Sequence, residues 1–273
     1  MMNTADIANA YLRDLDIDTT TEPLELIKQL QSRHIAKYSF NSLAVLMKQT
    51  IDIDYESVFT KIVKQGRGGY CFEHNKLVFE TLNQLGFDVR ILMARVVYNQ
   101  DIDSPRTHRI TLFTLNNEQY IVDCGFGHFG ARYPLKLELG LAQELGDACY
   151  RIIQNSKNEY CYQIIKDGAF FTLFTFDLGR YDESDCLLGH FYSHKYPKAG
   201  FVNNLVVCRK EFNDIRSLRN HEFHRIQNDE TEVTAIDSPS QLKALLMNEY
   251  KIDIDSAVST FFYENFVKVK QGQ

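Results

Sequence analysis

The sequence predicts an α+β fold in which helices come first, strands follow, and a mixed segment ends the chain. Three observations predict it: apolar residues recur with a helical period before residue 87, alternation with period two begins there, and the strands follow one another instead of alternating with helices. Of the 273 residues, 44% are hydrophobic, which is enough for an ordinary core and excludes disorder of the whole chain.

The N-terminal segment is predicted to be mostly helical. Two stripes of apolar residues with helical spacing support this: Ile7, Ala10, Tyr11 and Leu15, then Leu24, Ile27, Leu30 and Ile35. Pro23 suits the first turn of the second helix, because its fixed backbone angle matches a helix start.

A glycine-rich loop is predicted at residues 65–69, since three glycines in four residues are too costly for a helix interior. After the loop, five residues share one face of a further helix: Cys71, Asn75, Val78, Leu82 and Leu85. Gly86 suits the C-terminal end of that helix. Cys71 is therefore predicted to lie in the first turn of a helix that follows a glycine-rich loop.

The middle of the chain is predicted to be β-structure. Residues 108–115 and 119–124 form a hairpin around Asn116 and Asn117, which tolerate left-handed turn geometry. Further strands are predicted at residues 150–153, 160–165, 169–176 and 201–208, and a late helix at residues 242–249. We expect sub-domain boundaries near residues 95 and 195, which divide the chain into residues 1–95, 96–195 and 196–273.

Charge and cysteine usage exclude several classes of protein. The net charge of −6 argues against a nucleic-acid or anionic-membrane partner, which needs a clustered basic surface. No apolar run approaches the length of a transmembrane helix, and the N-terminus lacks the apolar segment of a signal peptide. The six cysteines are scattered without a C-x-x-C pair, so we expect reduced thiols and a cytoplasmic location.

Cys71 is the cysteine whose surroundings suit a nucleophile. Without that context, a buried core cysteine would be the more frequent interpretation. A helix N-terminus stabilises a thiolate and lowers its pKa, and its N–H groups can hold an oxyanion. Neighbouring glycines let a substrate approach closely.

The hairpin places a base and its partner together. With a two-residue turn at Asn116 and Asn117, residue i pairs with residue 233 − i, which sets Asp123 opposite Ile110. His108 points to the same face as Ile110, so His108 and Asp123 are diagonal neighbours with backbones about 7–8 Å apart. A register slip of one residue would separate them, and His108 would then be an ordinary strand histidine.

Three segments together resemble the arylamine N-acetyltransferase family. Residues 67–75, Arg-Gly-Gly-Tyr-Cys-Phe-Glu-His-Asn, match the family signature R-G-G-x-C-x-E-x-N. The spacing to Thr107-His108-Arg109 and to the segment 122–127 around Asp123 is also similar to that family. The resemblance covers at least residues 7–135 and recurs weakly to about residue 220.

The resemblance implies an enzyme that transfers acetyl groups by a ping-pong mechanism. Cys71 would be the nucleophile, His108 its base and Asp123 the group that orients the imidazole. Acetyl-CoA would be the acyl donor, and a small arylamine, hydrazine or N-hydroxyarylamine the acceptor, with no metal and no prosthetic group. The implied fold has an N-terminal helical bundle, a central β-barrel-like domain and a C-terminal α/β lid, with a catalytic core related to cysteine proteases.

Other residues receive supporting roles in this interpretation. Arg67 and Glu73 are expected to hold the loop through an ion pair or a helix-dipole contact, and Asn75 to brace the site. Candidate substrate- or CoA-binding residues are Tyr70, Phe126, Gly127 and Lys195. The segment 190–201 departs from the family pattern at His194, Lys195 and Ala199, so the contacts with CoA are expected to differ there.

Four alternatives stay open at this point. Cys186, His190 and His194 have the helical spacing of a zinc site, although Gly189 interrupts them. A hydrolase or transglutaminase could use the same Cys-His-Asp set, and an amide synthase of the same family could use a larger acyl donor. A binding module with a relic site would have no need of all three groups. The physiological acceptor and the oligomeric state do not follow from the sequence.

Overall fold

A computed structural model of the chain describes residues 2–228 and 230–271. The N-terminal part consists of helices: α1 (Thr4–Asp14), α2 (Pro23–Lys37), α3 (Leu43–Leu46), α4 (Tyr55–Phe59) and α5 (Cys71–Gln84), with a π-helical turn at Thr60–Lys64. The Asn3 side chain caps α1, and Pro23 occupies the first turn of α2 as predicted. Apolar faces of these helices form one core with the start of the large sheet.

The middle of the chain forms an antiparallel, nearly closed, barrel-like sheet of eight strands in the order β5-β4-β3-β2-β9-β8-β7-β6. The strands are β2 (Asp88–Val96), β3 (His108–Leu115), β4 (Glu118–Val122), β5 (Leu135–Lys136), β6 (Gln143–Glu144), β7 (Cys149–Gln154), β8 (Tyr160–Lys166) and β9 (Ala169–Phe176). Side chains that point inward form a second core, which is rich in aromatic rings such as Phe174 and Tyr162.

The C-terminal part combines a five-stranded antiparallel sheet with helices. Its strand order is β1-β10-β11-β12-β13, with β1 (Phe40–Asn41), β10 (Val206–Glu211), β11 (Asp214–Arg219), β12 (Glu222–Gln227) and β13 (Glu230–Ala235). The helices are α6 (Glu183–Lys195), α7 (Gly200–Asn203), α8 (Pro239–Tyr250) and α9 (Ser256–Phe262), followed by turns at Tyr263–Val267 and Lys268–Lys270. Because β1 pairs with β10, the N-terminal part is tied directly to this sheet.

The α+β class, with helices before a barrel-like sheet, is confirmed. One predicted strand is wrong: residues 201–208 begin with α7, and β10 starts only at Val206. The aromatic and β-branched residues there were typical of a strand, but the ring of Phe201 instead packs against Phe40 and Tyr70. The proposed boundaries stay a prediction; β2 crosses residue 95, and α6 ends at residue 195.

Gly189 does not interrupt α6, contrary to the prediction. A Cβ atom at this position would lie 2.6 Å from the carbonyl oxygen of Arg106 and 2.8 Å from the Phe72 ring. Glycine is therefore needed for the close approach of the helix to its neighbours.

Among the described residues, no helix has both the length and the apolarity to cross a bilayer.

Candidate active site

Cys71 is the first residue of α5 and is buried where the helical bundle meets the rest of the molecule. The glycine-rich loop before it is clamped by the segment around β1: the N–H of Asn41 donates to the Gly69 carbonyl at 2.6 Å, and the N–H of Gly69 donates to Ser39 at 3.2 Å. The helix start is fixed as well, since the Glu73 carboxylate accepts from the N–H of Tyr70 at 3.2 Å. Cys71 is thus fixed by the backbone contacts of the loop before it and by the Glu73 side chain at the helix start.

A buried row of hydrogen-bonded polar side chains contacts this loop at the Gly69 carbonyl. The Tyr11 hydroxyl bonds Nδ1 of His34, Nε2 of His34 lies 2.6 Å from Nδ1 of His74, and Nε2 of His74 lies 3.1 Å from the Gly69 carbonyl. Because a carbonyl only accepts, His74 donates from Nε2, which makes its Nδ1 the acceptor for the His34 proton. The hydrogen bonds of this Tyr11–His34–His74 row therefore all donate from Tyr11 towards Gly69, and both imidazoles are neutral.

The predicted hairpin register is confirmed. Thr111 pairs with Val122 and Leu112 with Ile121, as residue numbers that add to 233 require. The buried His108 and Asp123 side chains meet as a result, with Nε2 of His108 2.7 Å from Oδ2 of Asp123. Because Asp123 contacts Nε2, Nδ1 is the ring nitrogen of His108 that remains available to accept a proton.

Asn75 joins the nucleophile helix to this pair. Its Nδ2 donates to the Arg109 carbonyl at 2.5 Å and to Oδ1 of Asp123 at 2.8 Å, while its Oδ1 accepts from the N–H of Cys124 at 2.8 Å. The N–H of Gly125 donates to the same Oδ1 of Asp123 at 2.8 Å. These bonds hold the carboxylate in one orientation.

The two residues predicted to support the loop, Arg67 and Glu73, have separate partners. Glu73 is paired with Lys61 at 2.5 Å, and not with Arg67. Arg67 is exposed and donates to the side chain of Gln49 at 2.5 Å. The ion pair that holds this loop therefore comes from the π-helical turn before it, which the sequence pattern did not indicate.

Burial raises the pKa of the Cys71 thiol, and the nearby Asp123 carboxylate raises it further. The backbone N–H groups of Phe72 and Arg109 lower this pKa, but by less than burial raises it. The helix N-terminus alone therefore does not produce the low thiol pKa that we predicted. Sγ of Cys71 lies 3.6 Å from the Thr107 carbonyl, an acceptor to which a protonated thiol donates. A thiolate here requires a positive charge beside it.

A cavity of about 270 Å³ opens next to Cys71 and His108. Phe126 and Gly127, both predicted, lie on its wall, and the Phe126 ring contacts the His108 ring with centroids 5.2 Å apart. Tyr70 does not line it, because its ring is fully buried and its hydroxyl bonds Nδ1 of His190. Lys195 is exposed at the end of α6, outside the cavity wall.

A family model described as N-acetyltransferase matches residues 23–259 of the chain. An arylamine N-acetyltransferase / N-hydroxyarylamine O-acetyltransferase from Salmonella typhimurium is 30% identical over 262 residues, which are 93% of this chain and 91% of that protein. The chain belongs to the arylamine N-acetyltransferase family. Family membership makes it an acyltransferase.

Solved structures of arylamine N-acetyltransferases have the same fold. The Salmonella typhimurium structure superposes with a TM-score of 0.89 at 28% identity and covers 97% of this chain and 100% of its own. The Mycobacterium marinum protein in complex with CoA superposes with a TM-score of 0.88 at 24% identity, with 93% and 97% covered. The predicted cysteine-protease-like core belongs to this family fold.

In this member of the arylamine N-acetyltransferase family, several cavity residues were not predicted. They are Phe40, Tyr98, Tyr192, Phe201, Cys208, Ser217 and Arg219. Residues 206, 208, 217 and 219 alternate along two adjacent strands, and this pattern could have indicated that they share one face on the cavity wall. Of the others, Phe40 lies on β1, Tyr98 in the turn after β2, Tyr192 on α6 and Phe201 on α7.

The three residues with the spacing of a zinc site contact other groups in this member of the arylamine N-acetyltransferase family. Sγ of Cys186 contacts the Met93 sulfur at 3.7 Å, and Nε2 of His190 donates to the Ile51 carbonyl at 3.0 Å. Nδ1 of His194 donates to the His190 carbonyl at 2.7 Å. Within residues 2–228 and 230–271, no three His, Cys, Asp or Glu side chains are arranged as metal ligands.

Proposed function

We propose that the protein transfers the acetyl group of acetyl-CoA to the nitrogen of small arylamines or hydrazines, or to the oxygen of N-hydroxyarylamines, through an acetylated Cys71. The observation that carries this proposal is the His108–Asp123 pair, held at 2.7 Å beside the cavity that Cys71 also lines. Family membership supports the choice of acetyl transfer, and a protein of the same fold was solved in complex with CoA.

In the first half-reaction, Nδ1 of His108 takes the Cys71 proton as Sγ attacks the thioester carbonyl carbon. The carbon–sulfur bond to CoA then breaks, and the imidazolium returns the proton to the leaving thiolate. Asp123 stabilises the imidazolium and keeps the proton of the neutral ring on Nε2. This sequence fits the raised pKa of the Cys71 thiol, because the proton leaves the sulfur only when His108 receives it.

The start of α5 provides electrostatic stabilisation for the intermediate. The N–H of Cys71 belongs to the first turn of the helix, where N–H groups have no partner within the helix. We assign it as one donor to the oxyanion that forms on the attacked carbonyl oxygen.

In the second half-reaction, the amine attacks the acetyl carbon, its proton passes to His108, and Cys71 leaves as the thiolate. An arylamine is largely unprotonated at neutral pH, so it is already a competent nucleophile. The Phe126 ring offers its face to the aryl group beside His108. Because the acetyl group stays on Cys71 after the first half-reaction, CoA can leave the cavity before the amine enters it.

Intact-mass spectrometry tests this proposal. Incubation with acetyl-CoA alone should add the mass of one acetyl group to the wild-type protein and nothing to Cys71→Ala. Addition of p-anisidine should then remove the acetyl group and yield acetylated p-anisidine. No mass gain in the wild type, or an equal gain in Cys71→Ala, would rule out the mechanism.

A further inference from the structure

We propose that Arg219 selects acceptors that carry a carboxylate on the aromatic ring, and that it binds this carboxylate from the cavity wall. The inference rests on the proposed function, which it deepens by naming the class of acceptor. Arg219 is the last residue of β11 and lines the same cavity as Cys71 and His108.

Strand geometry aims Arg219 at the cavity. Val206 pairs with Arg219, and Cys208 pairs with Ser217, across β10 and β11. All four residues line the cavity, as side chains two apart on paired strands should when they share one sheet face. The sheet therefore fixes the backbone position of Arg219 on this wall, and the residue is exposed to solvent there.

The Arg219 guanidinium has no carboxylate partner among residues 2–228 and 230–271. The nearest candidate by register is Glu222, which is directly opposite Arg219 on β12. Glu222 instead pairs with Nε2 of His224 at 3.1 Å and of His221 at 3.8 Å. The other arginine of this strand, Arg216, forms ion pairs with Glu211, Asp214 and Glu249. An unpaired cation on a substrate cavity wall is a binding group for an anion.

Polar groups surround Arg219 at this part of the cavity. Ser217 Oγ lies 3.3 Å from Nδ1 of His128, and both residues line the cavity. Tyr98 lines the same cavity as Arg219. Tyr98 and Ser217 thus provide hydroxyl donors on the same wall as the cation.

The shared cavity wall favours the acceptor over CoA as the source of the anion. The His108 ring contacts Phe126, whose ring centroid lies 5.8 Å from that of Tyr98. A substituted benzene ring beside Phe126 would therefore lie in the same cavity as the acetylated sulfur and Arg219. The phosphates of CoA are separated from its sulfur by the whole pantetheine arm.

The test compares 4-aminobenzoate with its neutral analogue 4-aminobenzamide in wild type and Arg219→Gln. We expect kcat/KM for 4-aminobenzoate to fall about tenfold, mainly through KM, because the carboxylate is bound away from the reacting amine. The value for 4-aminobenzamide should stay within about twofold, and Arg219→Lys should recover part of the loss. Arg13→Gln, which removes an exposed arginine of α1, is the charge-matched control.

Two results with Arg219→Gln would overturn the inference. One is an equal fall for both acceptors. The other is a fall in kcat/KM for acetyl-CoA, which in ping-pong kinetics reports the first half-reaction alone and would assign the anion to a CoA phosphate. If wild type acetylates p-anisidine but not 4-aminobenzoate, the inference fails; if acetyl-CoA does not acetylate the wild type at all, the proposed function fails instead. Calorimetric binding of 4-aminobenzoate to Cys71→Ala, with and without Arg219→Gln, then still decides the role of Arg219.

Discussion

Nε2 of His108 and Oδ2 of Asp123 lie 2.7 Å apart, although Asp123 falls one residue beyond the end of its strand. The hairpin register brings the two backbones together, and Asn75 and Gly125 then hold the other carboxylate oxygen. His108 is therefore oriented by a carboxylate that is itself held in place. The predictions below follow from this arrangement and from the burial of Cys71.

Removal of the base should leave Cys71 unreactive. In His108→Gln, burial and Asp123 still raise the thiol pKa, and no imidazolium can form beside the sulfur. We expect alkylation of Cys71 by iodoacetamide at pH 7 to slow by about 100-fold and to accelerate steadily with rising pH. Peptide mass spectrometry measures the rate at each pH. An unchanged rate at pH 7 would contradict a role of His108 in thiol ionisation.

Asp123→Asn should keep the shape of the site and remove its charge. The imidazolium that forms during acetyl transfer then loses its stabilising partner, so we expect the rate of Cys71 acetylation to fall by about 10²–10⁴-fold. Quenched-flow sampling with intact-mass detection measures this single-turnover rate. Circular dichroism controls for folding, and a loss below threefold would show that the carboxylate is dispensable.

Asn75→Ala should destabilise the fold more than a typical polar substitution on a helix. It leaves the buried Arg109 carbonyl and the Cys124 N–H without their partner, so we expect a loss of about 3 kcal/mol in the free energy of unfolding. Urea titration provides the measurement. Asn83→Ala on the exposed face of the same helix is the matched control and should change stability by less than about 0.5 kcal/mol.

Gly125→Ala should disturb the site through its backbone. The new Cβ would lie 2.7 Å from Cα of Cys71, which cannot move without shifting α5, and 2.8 Å from Nδ2 of Asn75, which cannot move without weakening its hydrogen bonds. We expect destabilisation of about 1–3 kcal/mol together with slower acetylation. In Gly200→Ala the added atom meets nothing within 4 Å, so its melting temperature should match that of the wild type.

The stability of the fold should fall as pH decreases below neutrality. Burial lowers the pKa of His74 and of His190 to about 4 and that of His128 to about 3. These side chains are neutral in the fold but bind protons near pH 6.5 when unfolded, so stability is present above pH 6.5 and is lost between pH 6.5 and 4. Each group contributes a slope of roughly 1.4 kcal/mol per pH unit in this window.

Urea midpoints between pH 7 and pH 5 measure this slope while most carboxylates remain ionised. His190→Gln removes one of the titrating groups and should flatten the dependence. A midpoint that stays constant over this range in the wild type would contradict the buried, neutral state of these histidines.

Local patterns were sufficient for much of the fold. The helix after the glycine-rich loop and the hairpin around Asn116 and Asn117 depend on contacts between residues close in the chain, so spacing and turn residues predict them. The segment 201–208 failed for the opposite reason. Its aromatic residues suit a strand, but contacts of Phe201 with distant rings override that preference.

The sequence by itself determined the α+β class, the position of Cys71 at a helix start, and the register that joins His108 to Asp123. Only the tertiary structure decided which groups surround them. The pairing of β1 with β10, two strands that are far apart in the chain, brings Cys208, Ser217 and Arg219 to the cavity. The fold also buries Cys71 enough to reverse the expected direction of its pKa. Burial and long-range pairing depend on the whole chain, so no local pattern encodes them.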